Sequence, residues 1–273
     1  QGGMHPDFDG DTYLQIVEAA KHGAPDMHIH AFSPLEVLHG ATTQQSSIAA
    51  YLEKLRSAGL ASLPGTAAEI LDDSVRQMLC PDKLSTDDWM HVVSEAHSIN
   101  LPTTATMMFG HLETPEAWAV HLLRLRKLQA GTGGFTEFVP LPFVHMESPV
   151  FLKGRARRGP TLRECVLVHA VARLVLHPFI PNIQASWVKM GPQKAAQLLA
   201  CGANDMGGVL MNESITRAAG ATHGQEVCPT VMEQLIRDAG RQPRQRTTLY
   251  KDAPLAQIAR SYQAAELSPI RLV

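Results

Sequence analysis

Six short apolar runs punctuate this 273-residue chain, and each ends in a burst of glycine, proline or polar residues. They read MHIHAFSP, ASLPGTAAE, TTATMMFGH, TEFVPLPF, IQASWVKMG and ANDMGG, and a helix-patterned stretch follows most of them. A strand, loop and helix in repeated succession predicts a parallel sheet whose functional loops gather at one edge. With 45% hydrophobic residues the chain can bury a large core, and one α/β barrel of the TIM type is ordinary at this length.

The remaining bulk properties narrow the function classes. A net charge of -2 gives no electrostatic reason to expect nucleic acid or an anionic membrane surface as partner. No apolar run approaches the ~20 residues of a membrane span. Cys80, Cys165, Cys201 and Cys228 are too scattered for a local metal knuckle or a CxxC redox pair, and are read as reduced thiols in a cytoplasm-like compartment. The chain opens abruptly at Gln1-Gly2-Gly3, so an organellar targeting signal upstream stays compatible with the sequence.

Helix punctuation is clear between the runs. Asp11 or Thr12 can cap TYLQIVEAAKH, which Gly23 stops, and Ser46 or Ser47 can cap IAAYLEKLRSA, which Gly59 stops. Thr86 precedes DDWMHVVSEAHSIN, whose acidic first turn suits the helix dipole, and Thr114-Pro115-Glu116 opens EAWAVHLLRLRKLQA. Further helices are predicted over 161–176, 192–199 and 213–219, with a last helix-like stretch over 254–267. No stretch reads as an interdomain linker. The expected organisation is a barrel over 1–250 and a peripheral tail over 251–273. KGRARRGP, over 153–160, reads as a solvated basic turn or a site for an anionic group.

In a barrel the loops at the C-terminal ends of the strands carry the chemistry. Those ends offer His28, His30, Ser33 and Glu36, then Thr66 and Glu69, then Met108, Gly110 and His111. Glu137 and His145 flank the fourth run, Trp187 and Lys189 sit in the fifth, and Asn204 and Asp205 in the sixth. Two imidazoles two residues apart share a strand face, so His28 and His30 would point the same way. Metal-dependent hydrolases use such a pair, with Asp205 as a possible late carboxylate. The middle strands TTATMMFG and TEFVPLPF supply neither the further Lys nor the His that such a site needs, so no metal residues are assigned, and hydrogen-bonded core histidines are the plainer alternative.

Taken together, QGGMHPD, MHIHAFSPLEV, LPGTAAEILDD, TTATMMFGHLETPE, GGFTEFVPLPFVH, NIQASWVKMG, NDMGGVLMNESI and RQRTT resemble the 4-hydroxyphenyl transferase half of FO synthase, the CofH family. The likeness runs to about Tyr250, and LPGTAAEIL by itself is shared with related radical S-adenosylmethionine (SAM) enzymes. It implies a radical SAM barrel that joins the 4-hydroxybenzyl group of L-tyrosine to 5-amino-6-(D-ribitylamino)uracil, on the way to the deazaflavin FO and coenzyme F420. The implied cofactors are S-adenosyl-L-methionine and a 4Fe-4S cluster. The implied partners are the two small-molecule substrates and a ring-closing FO synthase half, fused or separate.

Carried over onto this chain, the resemblance implies that Gln1, Gly2 and Gly3 meet the SAM amino group, with Ser33, Thr66 and Glu137 as further cofactor contacts. Glu36 and Glu69 are candidates for ribose hydroxyls or an ammonium, and His28 and His30 for a phenol or uracil edge, all four grouped as catalytic. Met108, His111, Trp187, Asn204 and Asp205 are the expected substrate contacts; for Glu69 the alternative is a helix-start role. The family's CxxxCxxC cluster loop is not among these residues. The expectation is therefore a partial barrel whose first strand or strands and cluster ligands lie upstream, inactive and unstable as an isolated segment. The competing readings are a catalytically incomplete barrel that only binds a ligand or partner subunit, and the HxH metal hydrolase.

Overall fold

Parallel pairing decides what the first four runs become. In a computed structural model, which describes residues 5, 7–209 and 215–265, β1 (Ile29–His30) pairs in parallel with β2 (Leu60–Ser62). Ile29 lies opposite Leu60 and His30 opposite Ser62, so β2 carries one extra residue in between. Leu63 then bridges in parallel to Thr103, the first residue of β3 (Thr103–Phe109), which pairs with β4 (Phe135–Pro142). Six of the seven β3 residues are buried, as strands covered on both faces require.

The fifth and sixth runs depart from the expected strands. They meet in a single parallel bridge, Gln184 to Asp205, flanked by bonds from Ala185 N to Asp205 O (2.8 Å) and from Asn204 N to Ile183 O (3.0 Å). Trp187 then starts a helical turn that Gly191, at φ 85°, brings to an end. The architecture is α/β, a partial barrel with no closed ring of strands among the described residues.

The chain forms two compact units. The first comprises Gln1–Met107, Pro115–Phe138 and Pro178–Ile180. Its helices are α1 (Gly10–Gly23), α2 (Pro34–Thr43), α3 (Ile48–Ala58), α4 (Asp73–Leu79), α5 (Thr86–Ser98) and α6 (Pro115–Thr132). Asp9, not Asp11 or Thr12, caps α1, because its carboxylate reaches Thr12 N at 2.9 Å. Ser47 caps α3, and Ser85 rather than Thr86 caps α5 through a capping box with Asp88. Pro115 opens α6 as its sequence predicts. Helix α2 has no counterpart among the helices read from the sequence.

The second unit comprises Met108–Thr114, Val139–His177 and Pro181–Val273. It holds α7 (Pro149–Leu152), α8 (Leu162–Leu176), α9 (Trp187–Met190) and α10 (Pro192–Gln197), which runs into a 3₁₀ turn at Leu198–Ala200. There follow α11 (Ile215–Ala218), α12 (Pro229–Asp238) and α13 (Leu255–Gln263). Thr161 and Glu164 form the capping box of α8. No helix among the described residues is long and apolar enough to cross a membrane.

The core of the first unit depends on two glycines. A Cβ on Gly10 would lie 2.5 Å from Gly40 O, and one on Gly40 would lie 2.6 Å from the Tyr51 ring. Their absence lets α1, α2 and α3 close around Tyr51, which is fully buried and donates its hydroxyl to Gly10 O at 2.9 Å. Tyr13, Val17, Leu52 and Leu55 complete the same apolar cluster. We expect Gly40→Ala to destabilise the protein by about 1–3 kcal/mol through overpacking, and Tyr51→Phe by about 1 kcal/mol through the lost hydrogen bond. Urea midpoints report both; an unchanged midpoint for Gly40→Ala would show that the helices can move apart freely.

Candidate active site

Strand alternation places His28 and His30 on one face, and the slipped register of β2 brings Ser62 beneath both. His28 Nε2 and His30 Nδ1 each lie 2.7 Å from Ser62 Oγ. One hydroxyl has one proton, so it donates to one ring and accepts an N–H from the other. Burial, aided by the neighbouring His28, pushes the His30 pKa down to about 4, and burial with Lys21 lowers that of His28. Both rings are therefore neutral near pH 7, joined through a hydroxyl rather than opened toward a metal. Among the described residues no group of three or more His, Cys, Asp or Glu is arranged to hold a metal.

Immediately downstream, Ser33 caps α2 and forms a capping box with Glu36. Glu36 Oε2 accepts from Ser33 N at 2.6 Å and from Ser33 Oγ at 2.7 Å. Its other oxygen, Oε1, is buried without a hydrogen-bond partner, as is the hydroxyl of Tyr13. Burial, followed by the Glu36 charge, raises the Tyr13 pKa.

The PGTAAE loop is held mostly by backbone. A Cβ on Gly65 would collide with Thr104 O, so only glycine lets this loop lie against β3. Thr66 O accepts from Trp89 Nε1 at 3.2 Å, and buried Arg76 binds the carbonyls of Ala68, Ile70 and Leu84. Glu69 has a positive φ of 42° and forms an ion pair with Lys83. Glu137 is buried within β4.

In the second unit, Met108 and His111 are joined directly. His111 Nε2 lies 3.0 Å from Met108 O, which can only accept, so the proton is on Nε2. Nδ1 then accepts from Leu112 N at 2.8 Å, which makes its 2.9 Å approach to Glu113 Oε2 a proximity rather than a bond. Glu113 instead accepts the backbone N–H groups of Gly110 and His111, and Arg157 lies 3.9 Å from it. Arg157 also pairs with Glu164 at 2.7 Å, so part of the basic 153–160 turn is folded back onto carboxylates.

Trp187 is buried and donates Nε1 to Gly208 O at 3.2 Å. Asn204 Oδ1 accepts from Arg173 Nη2 and Ile183 N, both at 2.8 Å. Asp205 binds Gly207 N and forms an ion pair with Arg246, whose guanidinium stacks on Tyr250 at 3.9 Å. Asn204 and Asp205 both line a cavity of about 1090 Å³. The predicted residues thus gather locally as His28 with His30, Ser33 with Glu36, Met108 with His111, and Asn204 with Asp205; Gln1, Gly2 and Gly3 lie outside the described residues. Sequence reasoning missed Ser62 and Glu113, and singled out Arg157 only as part of the basic 153–160 turn. Ser62 carried only the weak signal of a serine closing a strand-like run, and Glu113 that of a carboxylate three residues after a strand-end glycine.

The C-terminal-region model of the CofH/MqnC family matches residues 132–258. The 5-amino-6-(D-ribitylamino)uracil–L-tyrosine 4-hydroxyphenyl transferase of Methanopyrus kandleri is 51% identical over 251 residues, covering 92% of this chain and 68% of that protein. The chain belongs to this CofH transferase family. FO synthase of Streptomyces avermitilis is 50% identical over 254 residues, covering 93% of this chain and 30% of the longer protein. In fold, the CofH-family chain is similar to crystalline methylornithine synthase (PylB), with a TM-score of 0.63 at 14% identity over 92% of this chain and 66% of that one.

The buried imidazoles set a pH dependence. Besides His30, burial pushes His97 to about 4 and His121 to about 3. These folded values lie below the ordinary ~6.5, so the unfolded chain takes up protons first and stability falls as pH drops from about 6.5 toward 4. Each group steepens the loss by up to about 1.4 kcal/mol per pH unit. Urea midpoints at pH 7 and pH 5 test this. A flat profile would show that the three rings accept protons within the fold.

Proposed function

We propose that this protein transfers the 4-hydroxybenzyl group of L-tyrosine to 5-amino-6-(D-ribitylamino)uracil, as a radical SAM transferase in the formation of the deazaflavin FO. The observation that carries the reading is 51% identity over 92% of the chain to a transferase named for that reaction. The chain spans 68% of that relative and 30% of FO synthase, which supports a ring-closing half acting as a fused or separate partner. Four free cysteines fit a reducing, cytoplasm-like compartment.

Bound SAM and a 4Fe-4S cluster would supply the one-electron chemistry that starts with removal of a hydrogen atom from tyrosine. The described residues provide no ligand set for the cluster. For SAM or a ribityl substrate the residues do fit: the partnerless, buried Glu36 Oε1 is an acceptor suited to a sugar hydroxyl. The capping box holds that carboxylate in place through its other oxygen. His28, Ser62 and His30 form a hydrogen-bonded chain in which a proton taken up by one ring from a ligand can be relayed through the hydroxyl to the other. In this reading Ser33 orients Glu36; Thr66, Glu69 and Glu137 are further cofactor contacts within the first unit; and Met108, His111, Trp187, Asn204 and Asp205 are substrate contacts within the second.

Expressed anaerobically from its full reading frame and supplied with iron, sulfide, reductant, SAM and both substrates, the protein should yield the 4-hydroxybenzyl–uracil adduct by mass spectrometry. Ligand binding with no adduct under those conditions would favour the binding-only barrel. Glu36→Gln keeps a capping-box side chain and should lower kcat/KM at least tenfold with the melting temperature unchanged. An unaltered kcat/KM would remove Glu36 from the site.

A further inference from the structure

A second cavity in the same unit as Asp205, about 320 Å³ in volume, contains none of the residues discussed as substrate contacts. It begins where β4 ends at Pro142 and is closed by the 153–160 turn, the end of α9 and residues 220–223. Loops that follow strand ends are where barrels bind ligands. Its size falls at the lower end of small-molecule sites, about 300–1000 Å³.

Two features distinguish it from an incidental crevice. Its walls need glycine: a Cβ on Gly159, at φ 80°, would lie 2.6 Å from Phe143 O, and one on Gly220, at φ 98°, would lie 2.7 Å from Met146 Cβ. The backbone is therefore drawn in against the pocket's own lining at two separate places. The lining also combines apolar surface with Arg158, Lys189 and Lys194, and with His145 and His223, and includes no Asp or Glu. Cys165 adds no negative charge, because burial, with Glu164 adding to it, holds its thiol up at about 11.

The contrast with the adjacent residue is informative. Arg157 is paired with Glu113 and Glu164, whereas among the described residues Arg158 and Lys194 make no ion pair. Two such cations lining one pocket with no carboxylate make a local field that favours an anion. Lys189 is held in place by its bond to Thr216 Oγ1 at 2.6 Å.

We propose that this pocket binds the carboxylate of a small, largely apolar acid and, resting on the transferase reading, that the acid is L-tyrosine. The carboxylate sits among Arg158, Lys189 and Lys194, and the apolar body lies along Phe143, Met146 and Pro160.

Equilibrium dialysis of the full-reading-frame protein against L-tyrosine, tyramine and inorganic phosphate tests the proposal. L-tyrosine should bind at least tenfold tighter than tyramine, which lacks the carboxylate. The double variant Arg158→Gln/Lys194→Gln should weaken L-tyrosine at least tenfold and leave tyramine unchanged, raising KM for tyrosine with kcat within twofold. Equal binding of tyrosine and tyramine, no effect of the double variant, or retention of phosphate without tyrosine would each overturn it. Tyrosine binding that follows this pattern with no transfer product would support the pocket while overturning the transferase reading, so the two fail separately.

Discussion

Parallel pairing is the constraint on which the rest of this structure depends. Parallel strands cannot be joined by a tight hairpin, so each connection must cross over, and helices fill the crossovers. The helices cover the sheet faces, and the loops at one set of strand ends are left to carry polar chemistry. The ladder from β1 through β2 and the Leu63–Thr103 bridge to β3 and β4 follows this rule. Its one irregularity has a direct chemical result. The extra residue of β2 seats a single hydroxyl under two imidazoles, where a regular register would offset them.

Close backbone approach is the second theme, and glycine supplies it at unrelated places. Gly10 and Gly40 let three helices converge on Tyr51, and Gly65 lets the PGT loop rest on β3. Gly159 and Gly220 draw two loops into the wall of the smaller cavity. In each case a methyl group would occupy space already filled by a neighbour, and at Gly159 and Gly220 the positive φ adds a second reason for glycine.

Much of this was legible in the sequence wherever the signal was local. Capping residues, a first-turn proline and a stop glycine marked α3 and α6 because each acts within a few residues of the element it bounds, and apolar residues at helical spacing marked α8. The WVKM segment misled because its apolar residues suit a buried strand equally well, and the turn ended by Gly191 became visible only in three dimensions. The pairing of His28 with His30 followed from a period of two. Their common partner did not, because Ser62 is 32 residues beyond His30 and reaches it only through strand register. The Arg157–Glu113 pairing was hidden for the same reason, while the family likeness depended on local motifs taken in combination.

Charge is handled differently among the candidate site groups. His28 and His30 are kept neutral by burial and satisfied by a hydroxyl, so their contribution to any reaction is hydrogen bonding and proton transfer. Glu113, Glu69 and Asp205 are ionisable groups already matched by Arg157, Lys83 and Arg246, and pairs of this kind hold loops in position. Arg158 and Lys194 follow neither pattern, lining a cavity without a carboxylate. Solvent screens these exposed side chains, yet the lining offers no counter-charge, so an anion entering the cavity meets a favourable field.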